Sequence, residues 1–594
     1  MAYRAPIADI AFALETAGGV DRMIASGAWA GLDRETIHAV LEEAGRFGAE
    51  VLDPLNWLGD RQGSRLENGT VVTPDGWDDA YRRFVDGGWA SLAAPEAYGG
   101  QDLPLILSMA VSEVWNASNM SFGLCPLLTQ GAIDALLVGG SEEQKAMYLP
   151  KMVAGTWTGT MNLTEPQAGS DLALLRARAE PAGDGTYRVF GTKIYITYGE
   201  HELSENIIHL VLARLPDAPE GTRGISLFLV PKYLVNADGS LGRRNDVICT
   251  GLEHKLGIHA SPTCTMKYGE NGGAVGYLVG EGHRGLVVMF VMMNVARLAV
   301  GVQGVAIADR ATQRAVSYAK ERVQGRAVDK TSAGASAIID HPDVRRTLLT
   351  MRAMTQAARL ICFATAREMD LAHRAPTEVE RQAASHRAAL LTPIAKAYST
   401  DVGNEVASLG VQVHGGMGFV EETGAAQHLR DARILPIYEG TNGIQAIDLV
   451  TRKVPLANGA VIRDMIAEFA ATAAEIKASN RPEFGRMGQR LEAAVQALES
   501  ASQWMGEQIA SNPKAALATA TPYLRLFGLT AGGAYLARGA LGAARTGADG
   551  AVSPYIAMAR IFAEGELTLA PSLGDLVTTG SDAMLDRAAD GLLA

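Results

Sequence analysis

Apolar residues recur at three- and four-residue spacing from Thr36 to about Ala154, and turns such as Pro95 to Gly100 separate the segments. This spacing collects apolar side chains on one face of a helix. The pattern therefore predicts an α-helical first domain over residues 36–156.

The pattern changes at Trp157, where short runs of β-branched and aromatic residues begin. These runs are separated by Gly, Pro and Asp turns and include TYRVFGTKIYIT, IIHLVLARL and GISLFLVP. Runs of this kind are typical of β-strands. A middle β domain is predicted over residues 157–280.

Long helical patterns return after Gly285. They run from about Leu286 to Arg322, from Pro342 to about His373 and from about Arg381 to Leu409, with two shorter ones before Val454. Helices of this length pack as a bundle. We expect a four-helix bundle over residues 281–455.

An Ala-rich helical region fills residues 456–594, with expected breaks at Arg481-Pro482, Asn512-Pro513 and Thr521-Pro522. It is predicted to be an additional helical domain. The fold class that follows is α+β and mostly α, in the order helical domain, β domain, helical bundle and extra helical domain.

The length of 594 residues agrees with several domains, because one hydrophobic core rarely exceeds about 250 to 300 residues. The longest apolar stretch, Leu286 to Ala308, is interrupted by Asn294, Arg297 and Gln303 and is predicted to be a buried helix, not an integral membrane segment. The N-terminus shows no secretory or transit pattern, which predicts a cytoplasmic protein.

The cysteines, the histidines and the net charge argue against a disulfide framework, a metal site and general nucleic-acid binding. The scattered cysteines have neither CxxC nor metal-ligand spacing and are expected to be reduced structural thiols: Cys125, Cys249, Cys264 and Cys362. No metal site is expected, because His254, His259 and His414 lack ligands at helix or hairpin spacing. A net charge of −12 disfavours general nucleic-acid binding.

Three polar segments carry candidate chemistry. MNLTEPQAGSD, residues 161–171, offers hydroxyls and backbone N–H groups that can donate to a heteroaromatic ring or a phosphate, although an ordinary strand-to-turn connection fits it equally well. VQVHGGMGF, residues 411–419, has glycines that let the backbone approach a ligand, or that simply end a helix. IYEGTNGIQ, residues 437–445, sets Glu439 before a turn that can open a helix, where a solvated glutamate is the usual alternative.

The three segments, in this order and at these intervals, resemble the acyl-CoA dehydrogenase family over about Thr36 to Val454. The resemblance implies FAD-dependent α,β-dehydrogenation of an acyl-CoA thioester to the trans-2-enoyl-CoA. Glu439 would be the base, and the β-hydride would pass to flavin N5. A minority subgroup places the base on the first long bundle helix, but Leu286 to Ala308 contains no Asp or Glu.

Within the family, the resemblance is closest to the longer bacterial members, among them the enzymes that oxidise 3-methylmercaptopropionyl-CoA. These members carry an N-terminal helical extension, here residues 1–35, and a C-terminal helical domain. They imply a short-chain substrate, such as 3-(methylthio)propanoyl-CoA in dimethylsulfoniopropionate breakdown. Met289, Met292 and Met293 lie in the region that borders the acyl pocket, where soft thioethers suit a short or sulfur-containing chain. The alternative is that they fill the helical core.

The resemblance also implies contacts residue by residue. The flavin contacts are Met161, Leu163, Thr164, Ser170, Tyr195, Thr197, Arg322, Gln324, Gln412, Gly415, Gly416, Thr441 and Gly443. The substrate contacts are Ser170, Met293, Asn294, Arg297 and Gly440. Tyr195 stands where tryptophan is commoner, Asn294 replaces an acid, and Gly325-Arg326 replaces the usual Phe-Gly. Arg322 and Gln412 would reach the flavin of a neighbouring subunit, which implies a homodimer.

The expected electron acceptor is an electron-transfer flavoprotein. Two alternatives share the fold: an acyl-CoA oxidase, whose reduced flavin reacts with oxygen, and a non-catalytic, DNA-protecting flavoprotein with a basic C-terminal domain. In the C-terminal stretch, acidic residues outnumber Arg525, Arg538 and Arg545, which disfavours a DNA-binding face. That stretch could also attach to a membrane or cover a dimer surface, and its interrupted apolar pattern favours protein packing.

Overall fold

A computed structural model of the protein describes residues 2–29, 31–328, 334–546 and 553–593. Residues 1 and 594, the ends of the predicted outermost domains, lie outside these ranges. The N-terminal region is helical, as predicted. Its helices, α1 to α8 in order, are Ile7–Ala13, Val20–Ala25, Arg34–Phe47, Asp53–Gln62, Trp77–Asp86, Leu105–Ser118, Met120–Gly139 and Glu142–Val153.

A small antiparallel hairpin interrupts these helices and was not predicted. Strands β1 (Arg65–Glu67) and β2 (Thr70–Val72) pair across an Asn68-Gly69 turn. Both turn residues have positive φ, 52° and 81°. Asn-Gly is the sequence most suited to such a two-residue turn, so the signal was present in the chain.

The middle domain is the predicted β domain. Its strands, β3 to β12 in order, are Trp157–Asn162, Arg178–Pro181, Tyr187–Thr197, Asn206–Arg214, Ile225–Pro231, Tyr233–Val235, Leu241–Arg244, Val247–Leu252, Thr263–Tyr268 and Ala274–Val279. The main sheet has the order β10-β11-β5-β12-β7-β6-β3, with β4 beside β5. β3 and β6 are parallel, and the end of β3 leads directly into the segment of residues 161–171.

The predicted bundle follows. Helices α9 to α13 are Gly285–Glu321, Pro342–Arg374, Glu378–His414, Ala425–Ala432 and Asn442–Asp448. α11 begins three residues earlier than the apolar spacing predicts. The reason is a capping box, in which Thr377 and Glu380 satisfy each other's backbone N–H groups.

Helices α9 and α11 run parallel and approach closely through glycines. A Cβ atom at Gly304 would lie 2.3 Å from the Ser399 carbonyl oxygen, and one at Gly301 would lie 2.6 Å from that of Ala395. Only glycine permits this backbone contact. The contact sets Gln303 of α9 at the level of Lys396 of α11.

The C-terminal domain is helical and packs on the bundle. Helices α14 to α19 are Ala460–Ala478, Met487–Ser511, Pro513–Ala518, Ala520–Thr546, Pro554–Glu564 and Ala570–Leu585. α17 lies against the bundle through Gly528, where an added Cβ would be 2.4 Å from the Tyr398 ring. The break predicted at Thr521-Pro522 falls two residues earlier: α16 ends at Ala518, and the non-helical Thr519 separates it from α17. Pro522 falls in the first turn of α17, where its missing N–H has no intrahelical acceptor.

The N-terminal extension joins this C-terminal domain to the rest of the protein. The Phe12 ring stacks on the Tyr555 ring with centroids 3.9 Å apart. The Tyr555 hydroxyl donates to the Ala8 carbonyl at 2.9 Å. The two ends of the chain therefore pack against each other.

Two helices, α7 and α9, have the length and apolar character of a membrane span. More than half of the apolar window of each is buried inside the protein. Core helices of soluble proteins share these properties, so the two helices are weak grounds for a membrane segment.

Candidate active site

Glu439 lies on a loop, residues 436–442, that is held in an uncommon backbone conformation. Its φ is +55°, and that of Gly440 is +83°. A left-handed conformation at a residue other than glycine costs about 1 to 3 kcal/mol and persists only where the surroundings impose it. The positive φ favours glycine at position 440, next to Glu439.

Hydrogen bonds close this loop at its base. The Asn442 N–H donates to the Pro436 carbonyl at 2.9 Å. Gln445 Nε2 donates to the carbonyls of Glu439 and Gly440, both at 3.3 Å. The Thr441 hydroxyl accepts from the Ile444 N–H and starts α13. The loop geometry is therefore fixed from within its own segment.

The Asn442 side chain ties the loop to α11. Its Nδ2 donates to Asp401 Oδ1 at 2.7 Å and to the Ala397 carbonyl at 3.1 Å. Its Oδ1 accepts from Lys396 Nζ at 2.8 Å. Lys396 is fully buried. A buried ammonium thus sits directly behind the loop that carries Glu439.

A second tie runs from Tyr438 into the protein interior. The Tyr438 hydroxyl donates to Gln303 Oε1. Gln303 Nε2 donates to Asn116 Oδ1 at 3.1 Å, and Asn116 Nδ2 donates to the Ser112 carbonyl at 2.8 Å. The chain of hydrogen bonds links the loop through α9 to α6, so the N-terminal domain also helps to position Glu439.

The electrostatic surroundings suit a general base. Burial raises the pKa of the Glu439 carboxyl, and the nearby Arg297 and Lys396 cations partly offset that rise. Burial lowers the pKa of Lys396 to about 7. Burial also lowers the pKa of Arg297, whose Nε has no hydrogen-bond partner among the described residues. A carboxylate with a raised pKa, under the influence of two nearby cations, can accept a proton near neutral pH.

A small cavity lies between α6, α7 and α9. Its volume is about 60 Å³. Trp89, Trp115 and Phe84 form one wall, and Ala296 and Ala299, on either side of Arg297, form another.

None of the three methionines predicted to border an acyl pocket lines this cavity. Met289 and Met292 are fully buried in the core shared with the middle domain. Met292 packs against Gly131 of the cavity wall, where an added Cβ would lie 2.7 Å from Met292 Cγ. Met293 is partly buried against the same core, and Asn294 is exposed. Met289 and Met292 therefore fill the core, which is the alternative that the sequence left open.

The middle domain holds the first group of predicted flavin residues. Leu163 and Thr164 follow β3, and their carbonyls accept from Lys193 Nζ at 3.0 Å and from the Ile194 N–H at 2.9 Å. A buried ion pair, Lys193 Nζ to Glu165 Oε1 at 2.8 Å, fixes this turn. Tyr195 has a φ of +61° and is 60% exposed.

The other middle-domain positions lie close by in the chain. Met161, in β3, and Thr197, in β5, are partly buried, and Ser170 is exposed on the turn. Thr441 and Gly443 belong instead to the loop and helix that follow Glu439. Their contact with a flavin stays a prediction.

The second group of predicted flavin residues lies at the far ends of α9 and α11. Tyr318 and His414 stack with ring centroids 4.4 Å apart and bring these two ends together. The residues found there are Arg322, Gln324, Gln412, Gly415 and Gly416. At a rise of about 1.5 Å per residue, about 37 Å of helix separates Arg322 from Arg297. The structure thus divides the predicted cofactor residues into two distant groups.

Sequence reasoning missed four residues that hold the Glu439 loop: Lys396, Asn442, Tyr438 and Gln303. Lys396 had a usable signal, because it stands alone in the apolar helical run LLTPIAKAY. A lysine in such a run is almost never fully buried without a partner, so it directs attention to what it contacts.

Protein-family models match four consecutive parts of the chain. The descriptions and matched residues are "Acyl-CoA dehydrogenase, N-terminal domain" at 34–156, "Acyl-CoA dehydrogenase, middle domain" at 160–270, "Acyl-CoA dehydrogenase, C-terminal domain" at 283–454 and "Acetyl-CoA dehydrogenase C-terminal like" at 463–587.

Individual proteins resemble the chain over most of its length. A 3-methylmercaptopropionyl-CoA dehydrogenase of Ruegeria pomeroyi is 49% identical over 589 residues, which are 98% of this chain and 99% of the relative. A butyryl-CoA dehydrogenase of Syntrophomonas wolfei is 34% identical over 86% of this chain and 85% of its own. The crystal structure of an acyl-CoA dehydrogenase from Bacillus anthracis, complexed with FAD, has a TM-score of 0.74 at 20% identity and covers 93% of this chain and 89% of its own.

Proposed function

The chain belongs to the acyl-CoA dehydrogenase family, and we propose that it dehydrogenates a short acyl-CoA thioester between its α- and β-carbons, with FAD as cofactor and Glu439 as base. The observation that carries this proposal is the Glu439 loop. It presents a carboxylate of raised pKa, under the influence of two nearby cations, in a backbone conformation held by Asn442 and Tyr438.

The chain's own part in the reaction is proton removal and alignment. Glu439 takes the α-proton of the thioester as the Cα–H bond breaks. FAD, when bound, supplies the acceptor for the hydride that leaves the β-carbon. The backbone N–H of Glu439 makes no hydrogen bond within the described part of the chain, and it can donate to the thioester oxygen as negative charge develops there.

The residues present fit FAD. An exposed aromatic ring at the end of β5, Tyr195, offers an apolar surface for an isoalloxazine ring. The turn after β3 carries the exposed Ser170 hydroxyl. At Gly415 and Gly416, no atom lies within 4 Å of an added Cβ, so the backbone there is open to a phosphate-bearing ligand. Leu163, Thr164 and Thr197 would complete the flavin contacts of the middle domain.

Two separated groups of cofactor residues favour a homodimer. Because about 37 Å of helix separates Arg322 from Arg297, the Arg322 and Gln412 group would serve the flavin whose ring lies in the other subunit. A guanidinium binds a diphosphate through two parallel hydrogen bonds, which suits the exposed Arg322 to this contact.

A short acyl group is favoured by the relatives. The 49% identical relative is named for 3-methylmercaptopropionyl-CoA and the S. wolfei relative for butyryl-CoA. We propose 3-(methylthio)propanoyl-CoA or a straight short-chain acyl-CoA as substrate and an electron-transfer flavoprotein as acceptor.

The first experiment is an acyl-CoA panel. The purified yellow protein is mixed without oxygen with butyryl-CoA, 3-methylthiopropionyl-CoA and palmitoyl-CoA, and loss of flavin absorbance is followed. The two short thioesters should show the higher kcat/KM, because each methylene that cannot be housed costs on the order of 1 kcal/mol or more. A steady rise in kcat/KM up to palmitoyl-CoA would show that the acyl site is long.

The second experiment tests the base. Glu439→Gln keeps the shape of the side chain and should retain flavin and thioester binding, while flavin reduction slows by about 10² to 10⁴-fold or more. Glu405→Gln is the matched control, because Glu405 faces solvent on α11 and pairs with Arg525. Reduction of Glu439→Gln at the wild-type rate would remove Glu439 from the mechanism. Hydrogen peroxide release under air at the turnover rate would indicate an oxidase instead.

A further inference from the structure

Lys396 occupies a position that the proposed reaction does not explain. Its side chain is fully buried in the bundle, and its Nζ makes its hydrogen bond to Asn442 Oδ1 at 2.8 Å. Burying an ammonium is costly unless it is paired. A neutral leucine or methionine would pack in such a helix without that cost, so the charge itself needs an explanation.

The contacts of Asn442 supply part of that explanation. Its amide is fully hydrogen-bonded: Nδ2 donates to Asp401 and Ala397, Oδ1 accepts from Lys396, and the Thr400 hydroxyl lies within hydrogen-bond distance of both amide atoms. Its backbone N–H closes the loop on Pro436. Lys396 therefore acts on the Glu439 loop through the Asn442 side chain. Asn442 is held both by these side-chain hydrogen bonds and by its backbone N–H.

The charges around the pair define its electrostatic role. The groups that act on Lys396 are Glu439 from the loop, Asp401 from its own helix and Arg297 from α9. Arg297 in turn is influenced by Glu439, Asp448 and Arg452. Lys396 and Arg297 are thus the two cations that face the carboxylate. Burial lowers the pKa of Lys396 to about 7, so its side chain is charged below neutral pH and loses that charge above it.

We propose that Lys396 and Asn442 are a positioning pair for Glu439: the buried ammonium, seated on the Asn442 amide, holds the loop and keeps the base in its ionised, proton-accepting form. This inference rests on the proposed function, since it concerns the same base. It assigns to α11 the task of setting the lowest pH at which the enzyme works.

The test compares pH profiles of flavin reduction by butyryl-CoA in three variants. Lys396→Met removes the charge and keeps most of the side chain. Asn442→Asp has nearly the same size and sets a carboxylate against the ammonium, at the loss of the hydrogen bonds that Asn442 Nδ2 donates. Lys477→Met is the control, because Lys477 lies exposed in the C-terminal domain, paired with Glu492. In the first two variants the acid limb should move up by roughly one pH unit, as expected on loss of a nearby opposite charge.

A merely structural role gives a different result. If Lys396 only filled space, the rate would fall at all pH values and the acid limb would stay where it is in the wild type and in Lys477→Met. That outcome in both Lys396→Met and Asn442→Asp would overturn the proposal. If Lys396→Met does not fold with flavin, Lys396→Gln decides, because it removes the charge and keeps a hydrogen-bond donor on the side chain at that position.

A second readout needs no turnover. Glu439 has a raised pKa in the folded protein, so its contribution to stability is present at low pH and is lost as pH rises through the folded pKa. The difference in thermal midpoint between wild type and Glu439→Gln, measured across pH, therefore locates that pKa. When the same comparison is made in proteins that also carry Lys396→Met, the pH at which this difference in midpoint changes should be higher. If that pH stays the same, the proposal is overturned. If no acyl-CoA reduces the wild-type flavin, the proposed function fails, and this thermal measurement still decides the inference.

Discussion

Replacement of Tyr438 by phenylalanine removes one atom from the tie between the Glu439 loop and the protein interior. The Tyr438 hydroxyl donates to Gln303 Oε1, and Gln303 is fully buried. Without the hydroxyl, the buried Gln303 acceptor loses its donor. Leaving a buried polar atom unpaired costs about 1 to 3 kcal/mol.

The bundle supplies a matched control in Tyr398→Phe. Tyr398 lies on α11, is 4% exposed, and its hydroxyl has no hydrogen-bond partner among the described residues. Removing that hydroxyl breaks no hydrogen bond and takes away a buried polar group that has no partner among the described residues. The change in stability should therefore be within about 0.5 kcal/mol of zero, or favourable.

The assay is thermal unfolding of the flavin-loaded proteins, joined to stopped-flow flavin reduction. One kcal/mol shifts the midpoint by about 2 to 4 °C for a domain of 150 to 250 residues, so Tyr438→Phe should melt several degrees below the wild type and Tyr398→Phe should not. Flavin reduction should also slow in Tyr438→Phe, by up to about 10²-fold, since a small displacement of a reacting group has that effect. Equal midpoints in the two variants, with unchanged reduction rates, would refute the reasoning.

Three further outcomes are expected. Arg322→Ala should lose FAD and dissociate on dilution, as followed by flavin absorbance across gel filtration, and a fully flavinated monomer would contradict it. The Asp60 hydrogen bond raises the pKa of His259 to about 9, so protonated His259 stabilises the protein fully below pH 6.5, and this stabilisation is lost as pH rises through 9. The thermal midpoint of the wild type should therefore fall over this pH range relative to that of His259→Gln. Midpoints of the two proteins that change in parallel with pH would argue against this role of His259. Lys193→Met leaves the Glu165 carboxylate buried without its cation and should cost about 3 to 5 kcal/mol in unfolding, whereas the double variant with Glu165→Gln should recover part of it.

The order of domains could be predicted because each type of element leaves a local pattern. Strands β5, β6 and β7 coincide with the runs of β-branched and aromatic residues, and the long bundle helices with three- and four-residue apolar spacing. Element ends were less certain, since they depend on single side chains. The capping box at Thr377 lengthened α11, and the tolerance of a helical first turn for Pro522 let α17 begin at Ala520, so the break lies at Thr519.

The candidate base could be proposed from its motif, but its surroundings could not. Lys396 and Asn442 are 46 positions apart, and Tyr438 and Gln303 are 135 apart. No local pattern reports a hydrogen bond across such a separation. These contacts arise because Gly301 and Gly304 bring α9 and α11 together. A glycine in an apolar helical sequence does not by itself indicate such a contact, because glycine occurs in helices for several reasons.

The distance between the two ends of α9 has a consequence for mixed populations of subunits. If each flavin is held by Glu439 and its neighbours in one subunit and by Arg322 of the other, a single defect of either kind spoils both sites of a homodimer. In a hybrid of a Glu439→Gln subunit with an Arg322→Ala subunit, both defects fall on the same flavin. The other flavin then meets an intact base and an intact arginine. Two inactive proteins, unfolded and refolded together, would regain activity at one site of each hybrid.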